Sequence, residues 1–167
     1  MDERFDLPPP SPIGETQPSG SLLVAGAAGL VAAVVGGVAW GLIVKWSDYE
    51  IGIVAWGIGF LAGAAVVAAT RGGKGPALQA IAVVSALVGI LLGKYLGYAF
   101  AIQEQAEAAG VELGLFSADM RTFFREDLGN VFGLFDLLWV GLAVYTAWRA
   151  PQRQEPELSP GPDRSVE

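Results

Sequence analysis

Four long stretches of the chain are almost free of charged residues. They cover residues 22–44, 51–69, 77–102 and 128–148. A helix rises about 1.5 Å per residue, so a stretch of about 20 residues crosses a hydrocarbon layer of about 30 Å. The pattern therefore predicts an all-α fold, an integral membrane four-helix bundle with four spans.

A different pattern separates the third and fourth stretches. In residues 111–130 the apolar side chains fall on one side of a helix and the polar ones on the other. The apolar set is Phe116, Met120, Phe123, Phe124 and Leu128, and the polar set is Asp119, Thr122, Arg125 and Glu126. This predicts an interfacial amphipathic helix within a segment, residues 103–127, outside the membrane. Ser117 is a candidate N-cap for that helix, and Gly110 a candidate C-cap for the helix before it.

Both ends of the chain are rich in proline and in acidic or small polar residues. Such a composition cannot bury enough apolar surface to order itself, so residues 1–20 and 150–167 are predicted to be disordered tails. The first tail lacks the basic start of a secretory signal, and the apolar stretch after it is too long for one. We therefore expect the first hydrophobic stretch to be retained, and the membrane domain to comprise residues 21–149.

Basic residues are distributed unequally over the two sides of the predicted bundle, and cytoplasmic loops usually carry the excess. One side has Arg4, Arg71, Lys74, Arg149, Arg153 and Arg164, and the other has Lys45, Arg121 and Arg125. The prediction is a multi-pass protein of the plasma membrane with both termini in the cytoplasm. Residues 103–130 then form the exoplasmic surface that an external partner meets first, with six acidic and two basic side chains.

The residue types present exclude several kinds of chemistry. The chain contains no cysteine and no histidine, which removes thiolate and imidazole catalysis as well as the usual zinc and haem ligands. Its formal charge is −7 and its basic residues do not cluster, which argues against binding to nucleic acid. Glu104 and Glu107 share a helix face but have no lysine or histidine nearby in the sequence. We therefore predict a protein that is not an enzyme and that uses no cofactor or metal.

Small residues recur at every fourth position in two of the predicted spans, which permits close contact between helix backbones. In the first span these are Ala25, Gly29, Ala33, Gly37 and Gly41, and in the third Ser85, Gly89, Gly93, Gly97 and Ala101. The second span adds Ala55, Gly59 and Gly63. These ridges predict tight helix packing, within one chain or between chains.

One basic residue, Lys94, and one acidic residue, Asp136, lie well inside the predicted spans. An isolated charge at depth costs at least about 2.5–3.5 kcal/mol, so each needs a partner. Counted from the ends of the spans, Lys94 lies roughly 12 Å deep and Asp136 roughly 7.5 Å deep, a difference that a lysine side chain bridges. The hypothesis is an ion pair, which an exchange of the two charges would test. Its role is either structural or part of an ion path, and Lys94 could instead extend to the outer surface beside Tyr95 and Tyr98.

Several short stretches of residues 49–149 resemble small uncharacterised bacterial multi-spanning proteins. They are Tyr49-Glu50-Ile51-Gly52, Ala55-Trp56-Gly57-Ile58-Gly59, Gly93-Lys94-Tyr95-Leu96, Phe135-Asp136-Leu137-Leu138-Trp139 and Ala147-Trp148-Arg149. The resemblance implies a four-helix membrane protein and no assigned activity. Four-span multidrug exporters carry a glutamate in the first span, and this chain has no charge there.

The functional prediction follows from two features of the sequence: it has small-residue ridges suited to helix packing, and it lacks a recognisable set of catalytic groups. The chain is expected to act without enzymatic activity, through helix–helix contacts or association with a partner in the lipid bilayer, as a homo-oligomer or with another membrane protein. The alternative is a small channel or transporter subunit with a polar site at Lys94 and Asp136.

Overall fold

The computed structural model describes residues 19–47 and 52–152. Within this part the chain is all-helical, with 85% of residues in helices and no strand. The helices are α1 (Ser19–Ser47), α2 (Ile53–Ala69), α3 (Pro76–Ala108), α4 (Ala118–Glu126), α5 (Leu128–Val131) and α6 (Leu134–Arg149), and a 3₁₀ helix follows at Ala150–Gln152. The two predicted tails lie outside the described residues, apart from the ends that join α1 and the 3₁₀ helix.

Two helices, Ser21–Ser47 and Pro76–Ala108, are long and apolar enough to cross a membrane by length and composition. Helix α2 is apolar but has 17 residues, and α6 has 16, which correspond to about 26 Å and 24 Å of rise. Two of the four predicted spans are therefore helices long enough to cross a membrane. The other two are shorter helices of the same bundle.

The direction of the four long helices alternates along the chain. Helices α1 and α3 run parallel, because Gly29 lies against Ser85 and, further along both helices, Gly41 lies against Leu96. Helix α2 runs antiparallel to α1, since the same Gly29 also approaches Val66 near the end of α2. One end of the bundle therefore has the start of α1, the α2–α3 turn and the end of α6.

Helix α6 completes the arrangement by packing parallel to α2. Gly52 lies against Trp139 at one end of this contact, and Gly59 lies against Ala143 about two turns further. The buried core follows the same contacts in two clusters, with Trp40 and Ile58 as the largest buried side chains of the second. This up-down-up-down order places α4 and α5 at the end where α2 and α6 begin.

The last long helix starts later than the sequence predicts. A continuous helix was expected over residues 128–148, but α5 ends at Val131 and α6 begins at Leu134. Between them Phe132 and Gly133 have extended backbone, with φ −107° and ψ 97° at Phe132 and φ −82° and ψ 172° at Gly133. Hydrogen bonds between the backbone groups released at this break and the side chains of Lys94 and Asp136 override the apolar pattern that favours one long helix.

Two helix ends predicted from single residues are present. Ser117 caps α4, because its hydroxyl accepts a hydrogen bond from the Met120 amide at 3.1 Å. Gly110 has φ +74° directly after α3, and the Val111 amide donates to the Ala106 carbonyl at 2.8 Å. This is the Schellman arrangement, in which a glycine in the left-handed region ends a helix.

The outward surface of the long helices is strongly apolar. The exposed large hydrophobic side chains include Leu23, Val31 and Val35 on α1, Phe60 and Leu61 on α2, Val84 and Leu91 on α3, and Leu134, Phe135, Leu137 and Leu138 on α6. A water-soluble monomer rarely exposes contiguous apolar patches beyond a few hundred Å². The bundle therefore has its apolar residues both inside and outside.

Candidate functional site

Lys94 and Asp136 form a buried ion pair between α3 and α6. The Lys94 Nζ atom lies 2.8 Å from Asp136 Oδ1, and the side chains are 1% and 19% exposed, respectively. Helix α3 positions the lysine and the first turn of α6 positions the aspartate. The structure thus brings together the two residues singled out in the sequence, and Lys94 points into the bundle rather than to the outer surface.

Lys94 also binds the end of α5. Its Nζ donates a second hydrogen bond to the Val131 carbonyl at 2.9 Å. Val131 is the last residue of α5, so this carbonyl has no amide partner further along the same helix. The rings of Phe132 and Trp40 lie 5.4 Å and 5.8 Å from the ammonium group. The lysine therefore neutralises a carboxylate and caps a helix end with the same ammonium group.

Asp136 performs the matching task at the start of α6. Its Oδ2 accepts a hydrogen bond from the Gly133 amide at 2.8 Å, while Oδ1 binds Lys94. Asp136 lies in the first turn of α6, where the helix dipole favours a negative charge. Both polar side chains are thus bonded to backbone groups exposed by the break at Phe132 and Gly133.

The position of Asp136 in its helix differs from the position predicted from sequence. Because α6 begins at Leu134, Asp136 lies about 3 Å from the helix start and not about 7.5 Å inside a span. Helix α2 begins at the same level, since Gly52 packs against Trp139 of the next turn of α6. The pair therefore lies near the plane where two of the four long helices begin.

Tyr95 and Tyr98 hold the segment between α3 and α6. The Tyr95 hydroxyl donates to the Leu115 carbonyl at 2.6 Å, and the Tyr98 hydroxyl donates to Asp127 Oδ2 at 2.7 Å. Phe124 packs edge-on against both rings, with centroid distances of 5.1 Å and 5.6 Å. Sequence reasoning missed Asp127 as a partner because its neighbour in space lies 29 residues away. The helical spacing of Phe124 was the available signal for this contact.

The amphipathic helix α4 is packed on α3 through this anchor. Met120 is fully buried and Phe124 is 6% exposed, as the predicted apolar face requires. Phe116 and Phe123, from the same predicted face, are 63% and 42% exposed. A contact with one helix covers only part of the apolar side chains, so α4 retains an exposed apolar edge.

The small-residue ridges of α1 and α3 meet each other within the chain. All five ridge residues of α1 are buried, as are four of the five on α3, with Ala101 exposed. A methyl group on Gly37 would lie 2.5 Å from the Gly89 carbonyl oxygen, and one on Gly89 would lie 2.6 Å from the Ala33 carbonyl oxygen. Backbone-to-backbone contact of this kind requires glycine. The ridges of α1 and α3 therefore pack against each other within the chain.

Two further observations bear on the chemistry of the site. The Trp40 Nε1 atom is buried and has no hydrogen-bond partner among the described residues. The described part of the chain also has no group of three acidic, cysteine or histidine side chains placed to hold a metal ion. The polar groups that the structure brings together around Lys94 are an ion pair and helix caps.

Comparison with protein-family models, curated proteins and solved structures found no match to this chain. The resemblance to small bacterial multi-spanning proteins therefore stays a prediction.

Proposed function

We propose that the chain is a four-span protein of the plasma membrane, with both termini in the cytoplasm, that acts without enzymatic activity through association with a membrane partner. The observation that carries this proposal is the apolar exterior of an alternating four-helix bundle. Exposed side chains such as Val35, Leu61, Leu91 and Leu138 lie on all four long helices. Lipid is the solvent in which such a surface is stable.

The short helices α2 and α6 fit this proposal because the ends of the bundle carry aromatic and basic side chains. Trp46 is 77% exposed at one end, and Trp148 and Tyr145 are exposed at the other. Arg149 lies 5.3 Å from the Tyr145 ring. Such residues occupy the headgroup region, and a bilayer thins locally around helices that are a few Å short.

The association is assigned to the exoplasmic segment, because the glycine ridges are occupied within the chain. Val111, Phe116 and Phe123 leave exposed apolar side chains next to the acidic residues of this segment. Aromatic side chains are enriched at protein interfaces, where they supply contact area at low entropic cost. The segment is therefore the surface that a partner is proposed to meet.

Topology is tested with single cysteines, since the natural chain contains none. We expect a membrane-impermeant maleimide to label Gly114→Cys in intact cells. It should label Ser11→Cys and Ser165→Cys only after the membrane is permeabilised. Labelling of either tail in intact cells would overturn the proposed orientation, and extraction of the chain by alkaline carbonate would overturn membrane insertion.

Partner association is tested with a photo-crosslinking amino acid at Phe123, in the exoplasmic segment. The matched control places it at Leu61, which is similarly exposed at 48% but lies on α2. A protein adduct confined to position 123 supports the assignment. Equal adducts at both positions, or adducts at 61 alone, would move the partner surface into the membrane.

A channel or transporter subunit is the alternative function, and the buried Lys94–Asp136 pair is the observation that favours it. Against it, each group of the pair also binds a helix end, which is a structural task. Proteoliposomes separate the two functions. Proton or cation flux that Asp136→Asn abolishes would establish the alternative and refute the association proposal.

A further inference from the structure

A cleft of about 660 Å³ lies between α3 and α4. Its α3 wall is made of Val88, Leu91, Leu92 and Tyr95, and the first two of these side chains are 40% and 49% exposed. This volume lies in the range of small-molecule sites, and the α3 wall is apolar apart from the tyrosine hydroxyl. That hydroxyl is bonded to the Leu115 carbonyl, so the wall presents hydrocarbon to an occupant.

The α4 wall of the cleft carries two positive charges. Ala118, Arg121, Thr122 and Arg125 line it, and their spacing of i, i+3, i+4 and i+7 places them on one face of the helix. The ring of Phe124, also on α4, lines the cleft as well. Asp119 and Glu126 belong to the same helix but do not line the cleft. Helix α4 therefore has a basic side, which faces an apolar wall across the cleft.

The two arginines are a like-charge pair at i and i+4, a spacing at which like charges repel each other and destabilise an isolated helix. Arg125 donates to the Arg121 carbonyl at 3.3 Å and to the Thr122 hydroxyl at 3.4 Å. Neither guanidinium forms an ion pair with an acidic side chain of the described residues. An anion placed between them would remove the repulsion and accept the planar donor groups that each arginine presents.

We infer that this cleft binds one anionic phospholipid from the leaflet on the α4 side, with the phosphate at Arg121 and Arg125 and an acyl chain along Val88, Leu91 and Leu92. The inference rests on the proposed insertion of the bundle into a membrane. An amphiphile is the occupant because the α4 wall carries two arginines, whereas the α3 wall presents hydrocarbon. The interfacial position of α4 places the arginines at the depth of lipid headgroups, where basic side chains recognise anionic lipids.

Lipid retention by the full-length chain tests the inference. The protein, purified in uncharged detergent, is incubated with phosphatidylglycerol or with phosphatidylcholine of the same acyl chains, and bound lipid is counted by native mass spectrometry. We expect one phosphatidylglycerol to bind at least about tenfold more tightly than phosphatidylcholine. Both lipids have the phosphate, but the choline of phosphatidylcholine places a positive charge beside the two arginines and weakens the charge-assisted contact. Equal binding of the two lipids would overturn the inference.

Variants locate the site. Arg121→Gln with Arg125→Gln should abolish the preference. Arg121→Lys with Arg125→Lys should keep the preference with weaker binding, because lysine retains the charge but not the planar donor group. Lys45→Gln is the matched control, since this lysine is at the same end of the bundle with its Nζ 4.7 Å from the Phe100 ring and outside the cleft. A preference that survives the double glutamine variant, or that is lost in Lys45→Gln, would overturn the assignment.

Two further arms identify the source of the anion and separate this inference from the proposed function. Glycerol phosphate, a free headgroup analogue, should fail to displace the lipid. Leu91→Trp should weaken lipid binding, because the larger side chain narrows the cleft beside its apolar wall. If glycerol phosphate displaced phosphatidylglycerol at an equal concentration, the cleft would be a site for small anions, and the lipid assignment would be overturned. A chain that resists carbonate extraction but binds both lipids equally refutes the cleft alone, whereas a chain that carbonate extracts refutes membrane insertion.

Discussion

Removing one partner of the Lys94–Asp136 pair should have an unequal effect on stability. In Asp136→Ala the Lys94 ammonium loses its carboxylate partner but stays buried, since the side chain is 1% exposed. It keeps only the hydrogen bond to the Val131 carbonyl. In Lys94→Met the carboxylate is 19% exposed and still binds the Gly133 amide. An uncompensated buried charge costs about 3–5 kcal/mol, so we expect that loss for Asp136→Ala. For Lys94→Met we expect about 1.5–3 kcal/mol, the value of a lost hydrogen bond to a charged group.

The double variant Lys94→Met with Asp136→Ala should be more stable than Asp136→Ala alone, because it removes the stranded charge. The assay is the free energy of unfolding in mixed micelles, followed by tryptophan fluorescence. Arg149→Met is the control at the opposite end of the bundle, where the loss of a cation–π contact should cost less than about 1 kcal/mol. If the two single variants lose equal stability and the double variant loses their sum, the coupling between the two charges is refuted.

The structure also changes the expectation for the charge exchange that the sequence suggests. Lys94→Asp would remove the donor to the Val131 carbonyl, because an aspartate side chain is too short to reach it and has no donor when ionised. Asp136→Lys would place a positive charge in the first turn of α6 and remove the acceptor of the Gly133 amide. We therefore expect the exchange to recover no stability although the pair exists, and the neutral double variant is the valid test.

Three further predictions concern single positions, each measured as a change in the free energy of unfolding or in local protection. Arg71 has φ +53° after α2, so Arg71→Gly should stabilise the protein by about 0.5–1 kcal/mol; a destabilised variant would contradict the left-handed conformation. Gly37→Ala should cost about 1–3 kcal/mol because its methyl group would meet the α3 backbone, whereas Gly26→Ala, which has nothing within 4 Å, should be neutral or stabilising. Tyr98→Phe should speed amide exchange in residues 111–127 by about tenfold, since a hydrogen bond to a carboxylate is lost; unchanged exchange would show that the bond does not hold the segment.

Much of the local structure could be predicted from the sequence because it depends on neighbours along the chain. Apolar stretches indicated the positions of the long helices, and the 3.6-residue period indicated the amphipathic character of α4. Ser117 and Gly110 act through bonds to residues three to five positions away, so their roles as helix caps were visible in the sequence alone. The same reasoning identified Lys94 and Asp136 as partners, because two opposite charges among apolar residues have few other ways to be neutralised.

The break before α6 was decided by tertiary structure. Residues 128–148 read as one apolar helix, and the local cap at the break, the hydrogen bond from the Gly133 amide to Asp136 Oδ2, does not show in the apolar pattern. The break is stable because Lys94, 37 residues earlier in the chain, supplies the donor that the end of α5 requires. A sequence pattern records which groups are apolar, but it does not record which distant side chain will satisfy a released backbone group.

The sequence by itself determined which helix faces carry small residues, which stretches are apolar and which two charged residues form an ion pair. Only the tertiary structure decided that Gly37 and Gly89 meet within one chain, that the ion pair lies at the start of α6, and that Arg121 faces an apolar wall. The physical reason is that helix formation and capping depend on contacts within a few residues. The pairing of helix faces instead depends on close packing summed over the whole bundle.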